Sequence, residues 1–77
     1  MNNKRRDRLE KANAYLSDAN SIIDTIHDEE EDSLYNMPDN LQNSDRYEQM
    51  ENCVDLLSGA IECIEDAINK ISEAINC

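Results

Sequence analysis

Apolar side chains recur at alternating intervals of three and four residues in both halves of the chain. In the second half they are Tyr47, Met50, Val54, Leu57, Ile61, Ile64, Ile68, Ile71 and Ile75. In the first half they are Leu9, Ala12, Leu16, Ala19, Ile23 and Ile26. Such a repeat of heptad positions a and d is typical of helices that pack against other helices. The pattern therefore predicts two long amphipathic helices.

A segment rich in turn-forming residues separates the two stripes and predicts the connection between the helices. Pro38 disfavours helix at Met37 and can itself begin a helical turn, with Asn36 as its cap. We expect Leu34, Met37 and Leu41 to fold over the end of the helix pair as a small apolar lid.

The boundaries of the helices follow from these signals. We predict helix 1 over about 4–33, a connection over about 34–44 and helix 2 over about 45–76. Asp45 can cap helix 2 and Glu48 can complete a capping box, with Ser44 as an alternative cap. The prediction for residues 1–77 is one all-α domain, an antiparallel two-helix hairpin that resembles a coiled coil.

A second column of residues widens the apolar face of helix 2. Cys53, Ala60, Ala67 and Ala74 recur every seven residues at heptad position g, which is occupied on helix 1 by Arg8, Tyr15, Ile22 and Glu29. One hairpin buries too little apolar surface to offset the entropy of ordering so many residues. We therefore predict a homodimer that forms a four-helix bundle; the alternative is a marginally stable monomer that orders fully on a partner. The residues predicted to self-associate are Cys53, Ala60, Ala67, Ala74, Ile61, Ile64, Ile68 and Ile71.

The charge of the chain is strongly negative and unevenly distributed. Its 18 acidic and 7 basic residues give a net charge of −11. Residues 1–11 hold five basic and two acidic side chains, a net charge of +3, whereas residues 12–77 carry −14. The negative net charge of the whole chain argues against direct binding to nucleic acid phosphates. A small regulator that touches nucleic acid through Lys4–Lys11 is the weakest alternative.

The acidic side chains are the candidates for binding a partner. The run Asp28–Asp32 can be a solvated helix end or a contact surface for a basic protein, and it lacks the spacing of a calcium loop. Acids three or four residues apart on a helix are separated by about 5–6 Å, comparable with successive phosphates of a DNA strand, so an acidic rod can imitate nucleic acid. The predicted partner-binding residues are Asp28, Glu29, Glu30, Glu31, Asp32, Glu48, Glu51, Asp55, Glu62, Glu65 and Asp66. Further exposed or flanking acids include Asp18, Asp24 and Glu73.

No motif indicates catalysis, a cofactor, a metal ion or a small-molecule substrate. Cys53, Cys63 and Cys77 lie about 15 and 21 Å apart along a helix, too far for a disulfide within the chain. We expect reduced thiols, the alternative being an intermolecular disulfide through Cys77. His27 falls at heptad position e and is expected to be an exposed or flanking side chain. No apolar run approaches the roughly 20 residues of a membrane span and no secretory signal is evident, so we expect a cytoplasmic location.

The segment Met37–Glu51, which runs from MPDNLQNSDRYEQME into the isoleucine heptads, resembles a group of short acidic phage and prophage proteins. The resemblance covers mainly residues 30–77. It implies a phage origin and, by analogy, a non-enzymatic protein that binds and inhibits a basic host defence protein such as a nuclease, a restriction enzyme or a CRISPR effector. The alternative is a self-assembling structural or scaffold protein of a phage.

Overall fold

In the computed structural model, which describes residues 1–77, two long α-helices lie antiparallel to each other and form almost the whole molecule. Helix α1 spans Asn3–Tyr35 and helix α2 spans Asp45–Ile75, with a single 3-10 turn at Asp39–Leu41 between them. The molecule is a rod of 59 × 15 × 12 Å with a radius of gyration of 17.5 Å, against about 11 Å for a compact chain of this length. The prediction of an all-α helical hairpin is confirmed.

Side-chain caps mark the start of each helix. The Asn2 side chain accepts a hydrogen bond from the backbone N–H of Arg5 at 2.9 Å, and the hydroxyl of Ser44 accepts one from Tyr47 at 3.2 Å. The cap of α2 is therefore the alternative that the sequence offered, and Asp45 is the first residue of the helix. Asn36 ends α1 rather than capping the turn after Pro38.

The apolar a and d positions of α2 face α1 as predicted. Val54 is buried, and the other eight of these positions are half-buried between the helices. In α2 the large apolar side chains of the repeat lie on one side, and the column at position g adds only small side chains beside them. The sequence therefore favours one orientation of this helix toward its neighbour.

Helix α1 is rotated relative to the prediction. The residues that it turns toward α2 include Leu9, Asn13, Leu16, Asn20, Ile23, His27 and Leu34. Ala19 and Ile26, which were predicted as inner positions, are exposed. The rotation buries Leu34 and lets the side chains of Asn13 and His27 hydrogen-bond to α2, at the expense of leaving Ala19 and Ile26 uncovered.

The core of the hairpin is thin. Only Leu34 and Val54 are buried, at 7% and 8% exposure. Of the predicted lid, Leu34 closes the end of the helix pair and Met37 is half-buried, whereas Leu41 is 45% exposed and does not cover it. Most of the apolar surface is thus covered only on the side that meets the other helix.

Candidate functional site

Three polar side chains of α1 define one side of the hairpin. They are Asn13, Asn20 and His27, here called the polar column, at heptad position e. Nε2 of His27 lies 2.9 Å from the hydroxyl oxygen of Ser58. Nδ2 of Asn13 donates to the hydroxyl of Ser72 at 3.2 Å and to the carbonyl of Ile68 at 3.4 Å. Since both serines occupy position e of α2, the e positions of the two helices lie on the same side.

An acidic face extends along this side. Helical geometry places position b directly outside position e, and these positions carry eight carboxylates. We define the acidic face as Glu10, Asp24, Glu31, Glu48, Glu51, Asp55, Glu62 and Glu65. Arg6 is the single Lys or Arg at the b and e positions of the helices. No aspartate or glutamate in the chain forms an ion pair with a lysine or arginine; the two contacts of this kind are those of His27 with Asp28 and with Glu31. Lysine and arginine side chains therefore do not neutralise the charge of this face.

The structure brings together part of the predicted partner-binding set. Six members lie on the acidic face: Glu31, Glu48, Glu51, Asp55, Glu62 and Glu65. Asp28, Asp32 and Asp66 lie on the outer sides of their helices at positions f and c. Glu30 is half-buried at an inner position, and Glu29 lies at position g on the opposite side. The run Asp28–Asp32 is therefore spread around the helix and does not form one surface.

Two members of the acidic face are missing from the predicted set. Asp24 precedes Glu31 by one heptad at the same position b, and Glu10 lies two heptads further toward the N-terminus. The seven-residue spacing from Glu31 could have identified Asp24. Glu10 lies within residues 1–11, whose positive net charge gave no reason to count it among the partner-binding acids.

An apolar face lies on the opposite side of the hairpin, at heptad positions d and g. On α1 it consists of Ala12, Tyr15, Ala19, Ile22 and Ile26, here called the apolar stripe. Tyr15 is 73% exposed, Ile22 63% and Ile26 44%. On α2 it continues as the half-buried alanine column of Ala60, Ala67 and Ala74, whereas Cys53 is exposed. The predicted self-association residues Ile61, Ile64, Ile68 and Ile71 are half-buried in the seam between the helices.

The side chain of His27 is more buried than the exposed or flanking side chain that the sequence predicts. Its side chain is only 15% exposed, with Nδ1 at 3.2 Å from a carboxylate oxygen of Asp28 and Nε2 at 3.6 Å from Glu31. Potential ligand atoms of Asp24, His27 and Asp28 lie within 4.8 Å of one another. Because both ring nitrogens already have partners in the chain, this cluster serves the contact between the helices, and we assign no metal site to it.

The three cysteines are free and exposed. Cys63 lies at an open, shallow depression lined by Glu62, Glu65, Asp66 and Asn69. Its neighbours in this depression are three carboxylates and one amide. This depression is thus part of the charged surface of α2 and shows no arrangement of a nucleophile and a base.

Neither helix combines the length and the hydropathy that a membrane-crossing segment requires. Comparison with protein-family models, with curated proteins and with solved structures finds no match to this chain. The functional argument therefore depends on the two faces of the hairpin.

Proposed function

We propose that this chain is a non-enzymatic interaction protein whose acidic face binds a basic, nucleic-acid-handling protein and inhibits it. The observation that carries the proposal is the segregation of eight carboxylates onto one side of the rod, with Arg6 as the single lysine or arginine there. Unneutralised charge of one sign on an elongated surface steers the encounter with a surface of opposite sign and selects against acidic partners.

The spacing of the carboxylates supports imitation of a nucleic acid. Along α2 the acidic face presents Glu51, Asp55, Glu62 and Glu65, separated along the axis by about 6, 10 and 5 Å at 1.5 Å per residue. The two shorter intervals are comparable with the distance between successive phosphates of one DNA strand. By analogy, the resemblance of residues 30–77 to short phage proteins implies the class of target, a host nuclease, restriction enzyme or CRISPR effector in the cytoplasm.

The test is competition with DNA for a basic target of this class. A fluorescently labelled duplex is bound to a purified restriction endonuclease or CRISPR effector, and its displacement by the protein is followed by anisotropy. The double variant Asp55→Asn/Glu62→Gln removes two charges from the acidic face. The matched control Asp66→Asn/Glu73→Gln removes one aspartate and one glutamate from the same helix, also seven residues apart, but at position f.

We expect the substitution on the acidic face to raise the inhibitory concentration about tenfold, equivalent to about 1.4 kcal/mol, and the control to raise it much less. The displacement should weaken steeply as salt is raised, because exposed charges are screened. An equal increase in the inhibitory concentration for both variants would mean that inhibition depends on the net charge and not on the acidic face. Displacement that does not change with salt would contradict charge mimicry.

We further propose that two copies associate as a homodimer in a four-helix bundle. The exposed apolar stripe supports this, because an apolar face of this length on a small protein is typical of an interaction site. The same stripe favours a second candidate function, a self-assembling structural or scaffold protein. Light scattering separates the two: a scaffold forms assemblies larger than a dimer, which Ala60→Arg or Ala67→Arg should disrupt, and it does not displace DNA from the target.

A further inference from the structure

We infer that the apolar face is the contact between two copies, which lie antiparallel across a two-fold axis passing near Ala19 and Ala67. In this arrangement each α1 packs on α1 of the second copy and each α2 on α2. The inference rests on the proposed homodimer and specifies its geometry. It leaves the acidic face of each copy on the outside.

The exposed surface of a single hairpin is larger than a stable monomer of this size presents. The chain exposes 5910 Å², whereas a folded protein of 8.8 kDa exposes about 4,800 Å² by the usual scaling with mass. The excess of about 1,100 Å² is of the same order as the roughly 800 Å² per partner that a standard interface buries. One further copy is therefore enough to cover most of it.

The sequence of the apolar stripe is nearly symmetric about Ala19, which is also the middle residue of α1. Antiparallel pairing about this residue places Tyr15 opposite Ile22 of the second copy and Ala12 opposite Ile26 of the second copy. A large side chain thus meets a small one at the second pair, and the methyl group at Ala19 lets the two helices approach closely at the axis. The two α1 helices overlap along their full length.

Charge complementarity selects the antiparallel direction. The stripe is bounded by Arg8 at one end and Glu29 at the other, both at position g, and they lie about 31 Å apart along their own helix. Neither has an oppositely charged partner within the chain. In the antiparallel dimer Arg8 of each copy meets Glu29 of the other, whereas a parallel dimer would bring like charges together.

The alanine column on α2 gives the same axis independently. The interhelical hydrogen bonds of the polar column place Ala19 level with residues 66–67 of α2. Ala67 is the middle member of the column, so the axis near Ala19 also passes near Ala67 and sets Ala60 opposite Ala74 of the second copy. Two sequence patterns, on different helices, are thus symmetric about one level of the rod.

Sedimentation equilibrium of matched variants tests the location of the interface. Ile22 and Leu56 are exposed to nearly the same extent, 63% and 65%, but Leu56 lies at position c, off the apolar face. We expect a dimer for the full chain, a dimer for Leu56→Glu, and an increase of about 100-fold in the dimer dissociation constant for Ile22→Glu, since each dimer carries two substituted side chains. A monomeric full chain, or equal effects of both substitutions, would overturn the inference.

A charge exchange tests the pairing of Arg8 with Glu29. Arg8→Glu and Glu29→Arg should each weaken the dimer about tenfold, and the double variant should restore most of the affinity. Because the two residues are too far apart to meet within one helix, restoration can only come from contact between copies. Additive weakening in the double variant would contradict the antiparallel pairing.

Disulfide trapping tests the orientation without depending on a destabilising change. In a chain with Cys53, Cys63 and Cys77 replaced by serine, Ala19→Cys should form a disulfide-linked dimer on oxidation. Tyr15→Cys alone should not, but it should cross-link to Ile22→Cys when the two proteins are mixed. Self-linking of Tyr15→Cys would indicate a parallel dimer and overturn the inference. Since these variants leave the acidic face unchanged, the DNA competition assay fails or succeeds independently of them.

Discussion

At the scale of single residues, the polar column is the least expected part of the contact between the helices. Oδ1 of Asn20 and Oδ1 of Asn13 are both buried without a hydrogen-bond partner, but Nδ2 of Asn13 and Nε2 of His27 do have partners on α2. A buried polar atom without a partner costs about 1–3 kcal/mol. The column therefore fixes the alignment of the helices at the expense of stability.

The first prediction follows from this difference within the column. Asn20→Leu should raise the free energy of unfolding by about 1 kcal/mol, because it removes an unsatisfied buried oxygen and adds apolar contact. Asn13→Leu is the matched control and should stabilise less or destabilise, since it loses two hydrogen bonds. Urea denaturation at one fixed protein concentration measures both. A lower stability for Asn20→Leu would contradict this interpretation.

The hydrogen bond between His27 and Ser58 leads to the second prediction. His27→Ala should lower the free energy of unfolding by about 1–2 kcal/mol and Ser58→Ala by about 0.5–1.5 kcal/mol. The double variant should lose less than the sum of the two, because the shared bond can be lost only once. A double-mutant cycle from urea denaturation measures the coupling, and strict additivity would show that the bond contributes nothing.

At the scale of the helices, α2 contains a glycine with no structural reason for its presence. Gly59 lies in the interior of the helix, and a Cβ atom added there would meet no atom within 4 Å beyond its chain neighbours and the adjacent backbone of its own helix. Gly59→Ala should therefore raise the free energy of unfolding by about 0.5–1 kcal/mol. The reverse change at an exposed alanine, Ala14→Gly, should lower it by a similar amount. Thermal or urea unfolding tests the pair; destabilisation by Gly59→Ala would indicate that another backbone packs against this site.

The sequence predicted the inner side of α2 completely and that of α1 only in part. In α2 a single unbroken apolar repeat, from Tyr47 to Ile75, determines the orientation. In α1 the apolar residues lie on one side of Leu9, Leu16 and Ile23, at positions d and g, whereas the other side carries the polar column, so the apolar pattern alone predicts a rotation that the structure does not adopt. The observed rotation depends on hydrogen bonds between helices and on the burial of Leu34, which are properties of the assembled pair.

At the scale of the whole molecule, the rotation of α1 decides what the two faces contain. It exposes most of the apolar stripe, including Ala19 and Ile26, and it places Asp24 and Glu31 on the same side of the hairpin as the carboxylates of α2. The strong net charge could be read from composition. The separation of acidic and apolar sides could not, because it requires the relative orientation of the two helices.

The central claim is that two hairpins cover each other's apolar faces side by side, leaving the acidic faces outward. Small-angle X-ray scattering of the full chain tests it most directly, because it reports mass and length together. We predict about twice the 8.8 kDa of one chain with a length still close to the 59 Å of a single hairpin. A mass of one chain, or a particle approaching twice that length, would contradict the account.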